Sequence, residues 1–294
     1  MPGLQRPTRI AELAAGPVEY RLDGTGNGAQ STGKGTVLVF HGGHMRAGLP
    51  LGEEVFIQAG YRVLVPSRPG YGRTPPRTGK GSAAAFTDVT ADLCDHLGIE
   101  HLAAVVGISA GGRTAVTMAA RHPHRVHRLI LQSAVAFLPW PDRRTRIAAG
   151  IAFIPATQAL TWGAVRLLMR LAPSAGLRLM LSDLSTHPAA DVVCALSEKD
   201  RVTLVELFTL MRSGHGFTAD LRAVPDLTAQ VTQPTLIIAS RHDASVPLAH
   251  AESLTAAIPG ARLAVSEADS HFVWFSPDYP AIAAQIRDFL TTGD

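Results

Sequence analysis

The chain has 294 residues, a length near the upper end of what one hydrophobic core supports, so it predicts one large domain or a core carrying an insertion. With 46% hydrophobic and 17% charged residues it reads as globular, which argues against a disordered or repeat protein. The formal charge is only +3, and the densest basic stretch, Arg121 to Arg128, has neither aromatic interleaving nor a nucleic-acid motif, so no nucleic-acid partner is expected.

Cys94 and Cys194 are the only cysteines, too few for a disulfide framework, and a reducing cytoplasm is the expected setting. Residues 1–12 lack the apolar run of a signal peptide. The uncharged stretch from Ile147 to Val165 is rich in alanine and interrupted by Gly150 and Pro155, which predicts buried or half-exposed helices and no transmembrane segment.

Along the chain, short β-branched runs alternate with helical patterns, the signature of a parallel sheet covered by helices. Strands are predicted at 37–40, 61–66, 102–106, 128–131, 235–239 and 262–265. Helices are predicted at 82–98, 111–121 and 247–258, with a closing helix that carries Ile282, Ile286 and Phe289 on one face. Between 134 and 233 the pattern is helical without a convincing strand. The expected organisation is therefore a core of residues 1–134 and 234–294 with a helical cap, or lid, at 135–233.

Chemistry concentrates at three strand ends. Gly107-Ile108-Ser109-Ala110-Gly111 lies between an apolar strand and a helix, where a nucleophile must take a strained backbone and small neighbours avoid collision. A serine hydroxyl needs a base, and the base needs an orienting group. His271 follows the last strand and Asp243 follows the strand 235–239. Ligand sites of open parallel sheets lie at that carboxyl edge, so Ser109, His271 and Asp243 are the candidate catalytic residues. His242 is a rival base; Asp269 and Asp142 are rival acids. Asp243 can also be read as a cap for the helix near Pro247.

His41-Gly42-Gly43-His44 follows the first of these strands. Backbone amides in a glycine turn approach a developing oxyanion without steric cost, so Gly43 and Ala110 are the expected oxyanion donors. His41 and His44 read first as braces of the loop. An H-x-x-H on a glycine turn without a third ligand is a poor metal site, so no metal is expected.

With these pieces the chain resembles the α/β-hydrolase superfamily over nearly its whole length. The resemblance is carried by the HGG turn at 41–43, the loop Arg68-Pro69-Gly70-Tyr71-Gly72-Arg73-Thr74, the elbow at 107–111, Asp243 and His271. It implies an eight-stranded, mostly parallel sheet flanked by helices, no cofactor and a lid inserted after the sixth strand. A serine nucleophile argues against the haloalkane dehalogenases and most epoxide hydrolases of this fold, which use aspartate. The implied activity is a serine hydrolase acting through an acyl-enzyme on a carboxylic ester, lactone or thioester. C–C hydrolases, aminopeptidases and haloperoxidase-like members remain alternatives within the fold. Outside catalysis, the alternative is a ligand receptor or scaffold.

The expected partner is a small molecule with a small to medium apolar group, because Ile151, Phe153, Ile154, Leu160, Trp162, Leu167, Leu168 and Met169 predict an apolar roof. His44, Trp162 and Phe272 are the candidate pocket residues. A homodimer is compatible with the sequence.

Overall fold

In a computed structural model, residues 3–24, 34–76, 82–141 and 157–291 are described. Eight strands form one sheet in the order β1-β2-β4-β3-β5-β6-β7-β8. They are β1 (Arg9–Leu13), β2 (Gly16–Asp23), β3 (Thr36–Phe40), β4 (Arg62–Pro66), β5 (Leu102–Ile108), β6 (Leu129–Gln132), β7 (Thr235–Ser240) and β8 (Arg262–Ser266). The β1–β2 hairpin joins β4 in antiparallel register, and every pairing from β4 to β8 is parallel.

The six strands expected from β-branched runs form the parallel part; β3, β5 and β7 are buried on both faces and read as continuous apolar runs, whereas β8, at the sheet edge, is buried only in part. The hairpin escaped that reading. β2 sends Val18 and Tyr20 into the apolar layer, while the alternate residues Glu19 and Arg21 are buried by pairing. Glu19 accepts from Thr8, Ser67 and Arg73; Arg21 pairs with Glu53 and Asp23. A strand that buries charge on one face carries no continuous apolar signal.

Helices α1 (Glu54–Gln58), α2 (Ser82–His96) and α3 (Gly112–Arg121) lie in the first half. Between β6 and β7 the described residues hold α4 (Gln158–Leu171), α5 (Pro173–Leu181), α6 (Ala189–Ala195), α7 (Glu198–Leu210) and α8 (Gly216–Asp220), and no named strand. α9 (Ala249–Ala257) and α10 (Tyr279–Thr291) complete the chain. Two apolar layers sandwich the sheet: α2 and α3 pack on one face through Phe86, Leu93 and Met118, and α1 and α10 on the other through Phe56, Ile286 and Phe289. A third cluster joins α4 to α7 through Trp162, Met169, Leu177 and Phe208, and reaches the core at Met45, Leu49 and Phe272.

That cluster corrects the expected roof. Trp162 and Met169 are buried in it, but Leu160 and Leu167 face outward, 77% and 57% exposed. Helical period decides this: Trp162 and Met169, seven residues apart, share the packed face, and the two leucines sit on the opposite side. Ile151, Phe153, Ile154 and Asp142, and most of the uncharged stretch 147–165, lie outside the described residues.

Candidate active site

β5 ends at Ile108, and the next residue, Ser109, has φ 50°, a left-handed conformation that costs a non-glycine residue free energy. The turn is tight because α3 starts immediately behind it. A Cβ on Gly107 would lie 2.7 Å from Ala115 Cβ, and one on Gly111 would lie 2.1 Å from the Phe40 carbonyl oxygen. Glycine at both positions lets the helix come down onto the strands. The Ser109 carbonyl accepts from the Val135 amide at 2.9 Å, which helps hold the strained turn.

Asp243 and His271 come from the loops after β7 and β8. The Asp243 side chain is fully buried, and its Oδ1 accepts from the amides of Ser245 (2.9 Å) and Val246 (2.8 Å). Its Oδ2 lies 2.6 Å from His271 Nδ1. Because Oδ1 is already committed to the loop, the carboxylate has one orientation, and the ring nitrogen facing it carries the proton. The helix-cap reading of Asp243 is corrected: its Oδ1 binds loop amides, and α9 starts only at Ala249, with no side chain capping it.

The His271 backbone is held as tightly. Its amide donates to Leu184 O at 2.7 Å, and its carbonyl accepts from Ser133 Oγ at 2.9 Å. Ser109 Oγ and His271 Nε2 are not joined by a hydrogen bond among the described contacts. The rivals are engaged elsewhere: His242 packs at a tilt against His187 with centroids 4.0 Å apart, and Asp269 lies 3.8 Å from His187 Nε2.

The glycine turn after β3 lies against the elbow. A Cβ on Gly42 would be 3.2 Å from Ser109 Cβ, and one on Gly43 would be 3.9 Å from Ala110 Cβ. Gly43 and Ala110, the two expected oxyanion donors, are therefore neighbours. The turn is stapled by His41, whose Nε2 accepts from the Arg68 amide (2.9 Å) and whose Nδ1 donates to Gly42 O (2.8 Å). Burial, and then the Arg68 guanidinium, push the His41 pKa well below its ordinary value, so the ring is a neutral strut.

Arg68 was visible as part of a motif, but its work was not. Its Nε donates to His41 O at 2.8 Å and its Nη2 to Gly42 O at 3.2 Å. Its other contacts are a fork onto Asp220 of α8 and a stack on the Tyr71 ring. Tyr71 in turn donates to Asp220 at 2.5 Å. Burial alone would lower the Arg68 pKa, yet the Asp220 carboxylate outweighs it and raises it. This buried pair ties the glycine turn to the helical segment across 152 residues of sequence, a spacing no motif encodes.

Of the expected pocket residues, His44 and Trp162 meet at Ser213, which sequence reasoning missed. His44 Nδ1 lies 2.9 Å from Ser213 Oγ, and Trp162 Nε1 donates to the same oxygen at 2.8 Å. Phe217 lies tilted against the His44 ring, centroids 3.9 Å apart. Enclosure, with Arg68 nearby, lowers the His44 pKa to about 3. Phe272 instead packs among Phe208, Trp274 and Phe275, with its ring centroid 5.8 Å from that of His271. A cleft opens beside Ala110 between Pro69, Phe86, Arg113, Asp220 and Arg222. Among the described residues no cluster of three metal-ligating side chains forms.

The family model of the α/β-hydrolase fold matches residues 35–277, and the chain belongs to that family. It is 35% identical over 294 residues to the uncharacterized hydrolase YcgS of Bacillus subtilis (strain 168), covering 98% of this chain and 99% of that protein. It is also 26% identical over 304 residues to a 2-hydroxy-6-oxononadienedioate/2-hydroxy-6-oxononatrienedioate hydrolase of Cupriavidus pinatubonensis (strain JMP 134 / LMG 1197), covering 96% of this chain and 95% of that one. Among solved structures, an α/β-hydrolase fold protein from Nakamurella multipartita superposes with a TM-score of 0.74 at 23% identity, over 98% of this chain and 100% of that one.

Proposed function

We propose that this hydrolase uses Ser109 as nucleophile, His271 as general base and Asp243 as the orienting acid. Its proposed substrate is a carboxylic ester, lactone or thioester of small to medium apolar character. The observation that carries this reading is the buried Asp243–His271 contact of 2.6 Å at the edge where Ser109 sits in a left-handed turn. An imidazole held with Nδ1–H toward a carboxylate leaves Nε2 to take a proton. The reading requires the Ser109 hydroxyl to reach that nitrogen, and such contacts commonly tighten only when substrate is bound.

His271 takes the Ser109 proton as the oxygen attacks the carbonyl carbon, and the amides of Gly43 and Ala110 receive the oxyanion. Collapse expels the alcohol, which takes the proton from His271. Water, deprotonated by the same imidazole, then attacks the acyl-enzyme; Ser109 recovers its proton and the carboxylic acid leaves. The helices between β6 and β7 act in this scheme as the cap, with Ser213, His44 and Trp162 in the wall of the site.

A second reading, C–C bond hydrolysis, is favoured by the Cupriavidus relative. One experiment separates the readings. Wild type and Ser109→Ala are treated with a fluorophosphonate and assayed on p-nitrophenyl esters of graded chain length and on a 2-hydroxy-6-oxo-dienoate. The ester reading expects labelling and ester turnover in the wild type, both lost in the variant. Turnover of the dienoate alone selects the second reading. A wild type that neither labels nor turns over either substrate overturns both and leaves a receptor or scaffold.

A further inference from the structure

α4 has two apolar faces. Trp162 and Met169 occupy the packed one, whereas Leu160, Leu167 and Leu171 are 77%, 57% and 76% exposed. These three leucines are seven and four residues apart, close to two turns and one, so they align in a stripe about 16 Å long. Leu179 of α5, 57% exposed, extends the same helix pair. Single exposed leucines are ordinary, but four of the seven large apolar side chains found exposed on the described surface fall on these two helices.

Charge specifies what such a face meets. From Thr157 to Ser182 there is no aspartate or glutamate, while Arg166, Arg170 and Arg178 are present, and Arg170 and Arg178 are exposed. Leucine with arginine and no acid is the composition of a helix that lies in the interface of an anionic lipid layer, apolar side chains among the acyl chains and guanidinium groups at the headgroups. A second copy of this chain fits less well, because a two-fold contact would bring together two faces that carry the same positive charge and no acid. A convex stripe also needs a groove in a protein partner, whereas a lipid surface accepts it as it is. Among the described residues no helix is long and apolar enough to cross a membrane, so the geometry is that of lying on the surface.

We infer that the outer face of α4 and α5 docks on anionic lipid. The same α4 carries Trp162, bonded to Ser213 beside His44, so docking acts on the wall of the candidate site. The inference does not depend on the reaction catalysed.

The test is sedimentation with sucrose-loaded vesicles of phosphatidylcholine alone or with one-third phosphatidylglycerol. The wild type is expected to sediment with the anionic vesicles and to be released by high salt. The triple variant Leu160→Ser, Leu167→Ser, Leu171→Ser is expected to lose at least about ten-fold in partitioning, since each leucine contributes buried apolar area. The double variant Arg170→Gln, Arg178→Gln should lose the preference for anionic lipid. Circular dichroism and the thermal midpoint establish that the variants are folded, and if the triple variant is not, the arginine variant and the salt titration decide. Three outcomes overturn the inference: no sedimentation with either vesicle, equal sedimentation of wild type and folded variants, or a leucine-dependent dimer in light scattering without lipid binding.

Discussion

Two loops at the same edge of the sheet each present histidine, and they use it in opposite ways. After β8, His271 faces a buried carboxylate through Nδ1. After β3, His41 meets no carboxylate among the described hydrogen bonds; it donates to a carbonyl, accepts from an amide and lies under the influence of a guanidinium. A carboxylate neighbour supports an imidazolium formed during reaction, whereas burial beside a cation forbids one. Neither the residue type nor its position at a strand end makes a histidine a candidate base; the charge of its fixed neighbour does.

The largest way to break that contrast is Asp243→Asn. An amide that donates to Nδ1 would turn the ring's proton to Nε2, and kcat should fall by about 10^4-fold if the imidazole acts as proposed. The check is steady-state turnover of the best ester with the fold verified by circular dichroism. A loss below ten-fold would remove Asp243 from the mechanism.

The neutral loop should respond through stability. Asp220→Asn leaves Arg68 buried without its counter-charge, which costs about 3 kcal/mol, at the low end for buried pairs because Asp220 keeps 11% exposure. Guanidinium chloride unfolding measures this, and a change within the scatter of surface substitutions would show that the fork contributes little.

A smaller effect sharpens the comparison by pH. The folded pKa of His41 is depressed, so the unfolded chain takes up a proton below about pH 6.5 that the folded chain refuses. The stability His41 contributes is complete above that pH and is lost as the pH falls toward the depressed folded value. For one proton the slope is about 1.4 kcal/mol per pH unit, and His41→Gln should flatten the acid limb by that amount. His44 acts in the same direction down to about pH 3, so part of the slope should persist in the variant. Unfolding free energies between pH 4 and 7 test this, and an unchanged slope would mean that His41 is protonated in the folded protein.

The difference between the loops also marks how far the sequence could be read. Ser109, Asp243, His271 and Gly43 sit at strand ends with local signals: a glycine-flanked serine, an acid and a histidine after apolar runs, a glycine pair. The loops that hold Gly43, Ser109, Asp243 and His271 all follow parallel strands and so lie at one edge of the sheet. Ser213 and Asp220 have no such signal, because they reach the site from the long segment between β6 and β7, Ser213 from a loop and Asp220 from α8. The roof shows the same limit: Leu160 and Trp162 are two residues apart and equally apolar, yet one is bare and the other buried.

Sequence alone determined the family, the six parallel strands and the three candidate catalytic residues, because period and punctuation are local properties of the chain. Tertiary structure decided which oxygen of Asp243 meets His271, which histidines are held neutral, that Arg68 is locked to Asp220, and which face of α4 is left open. Each of those depends on groups far apart in the chain, whose pairing is set by packing and charge at close range.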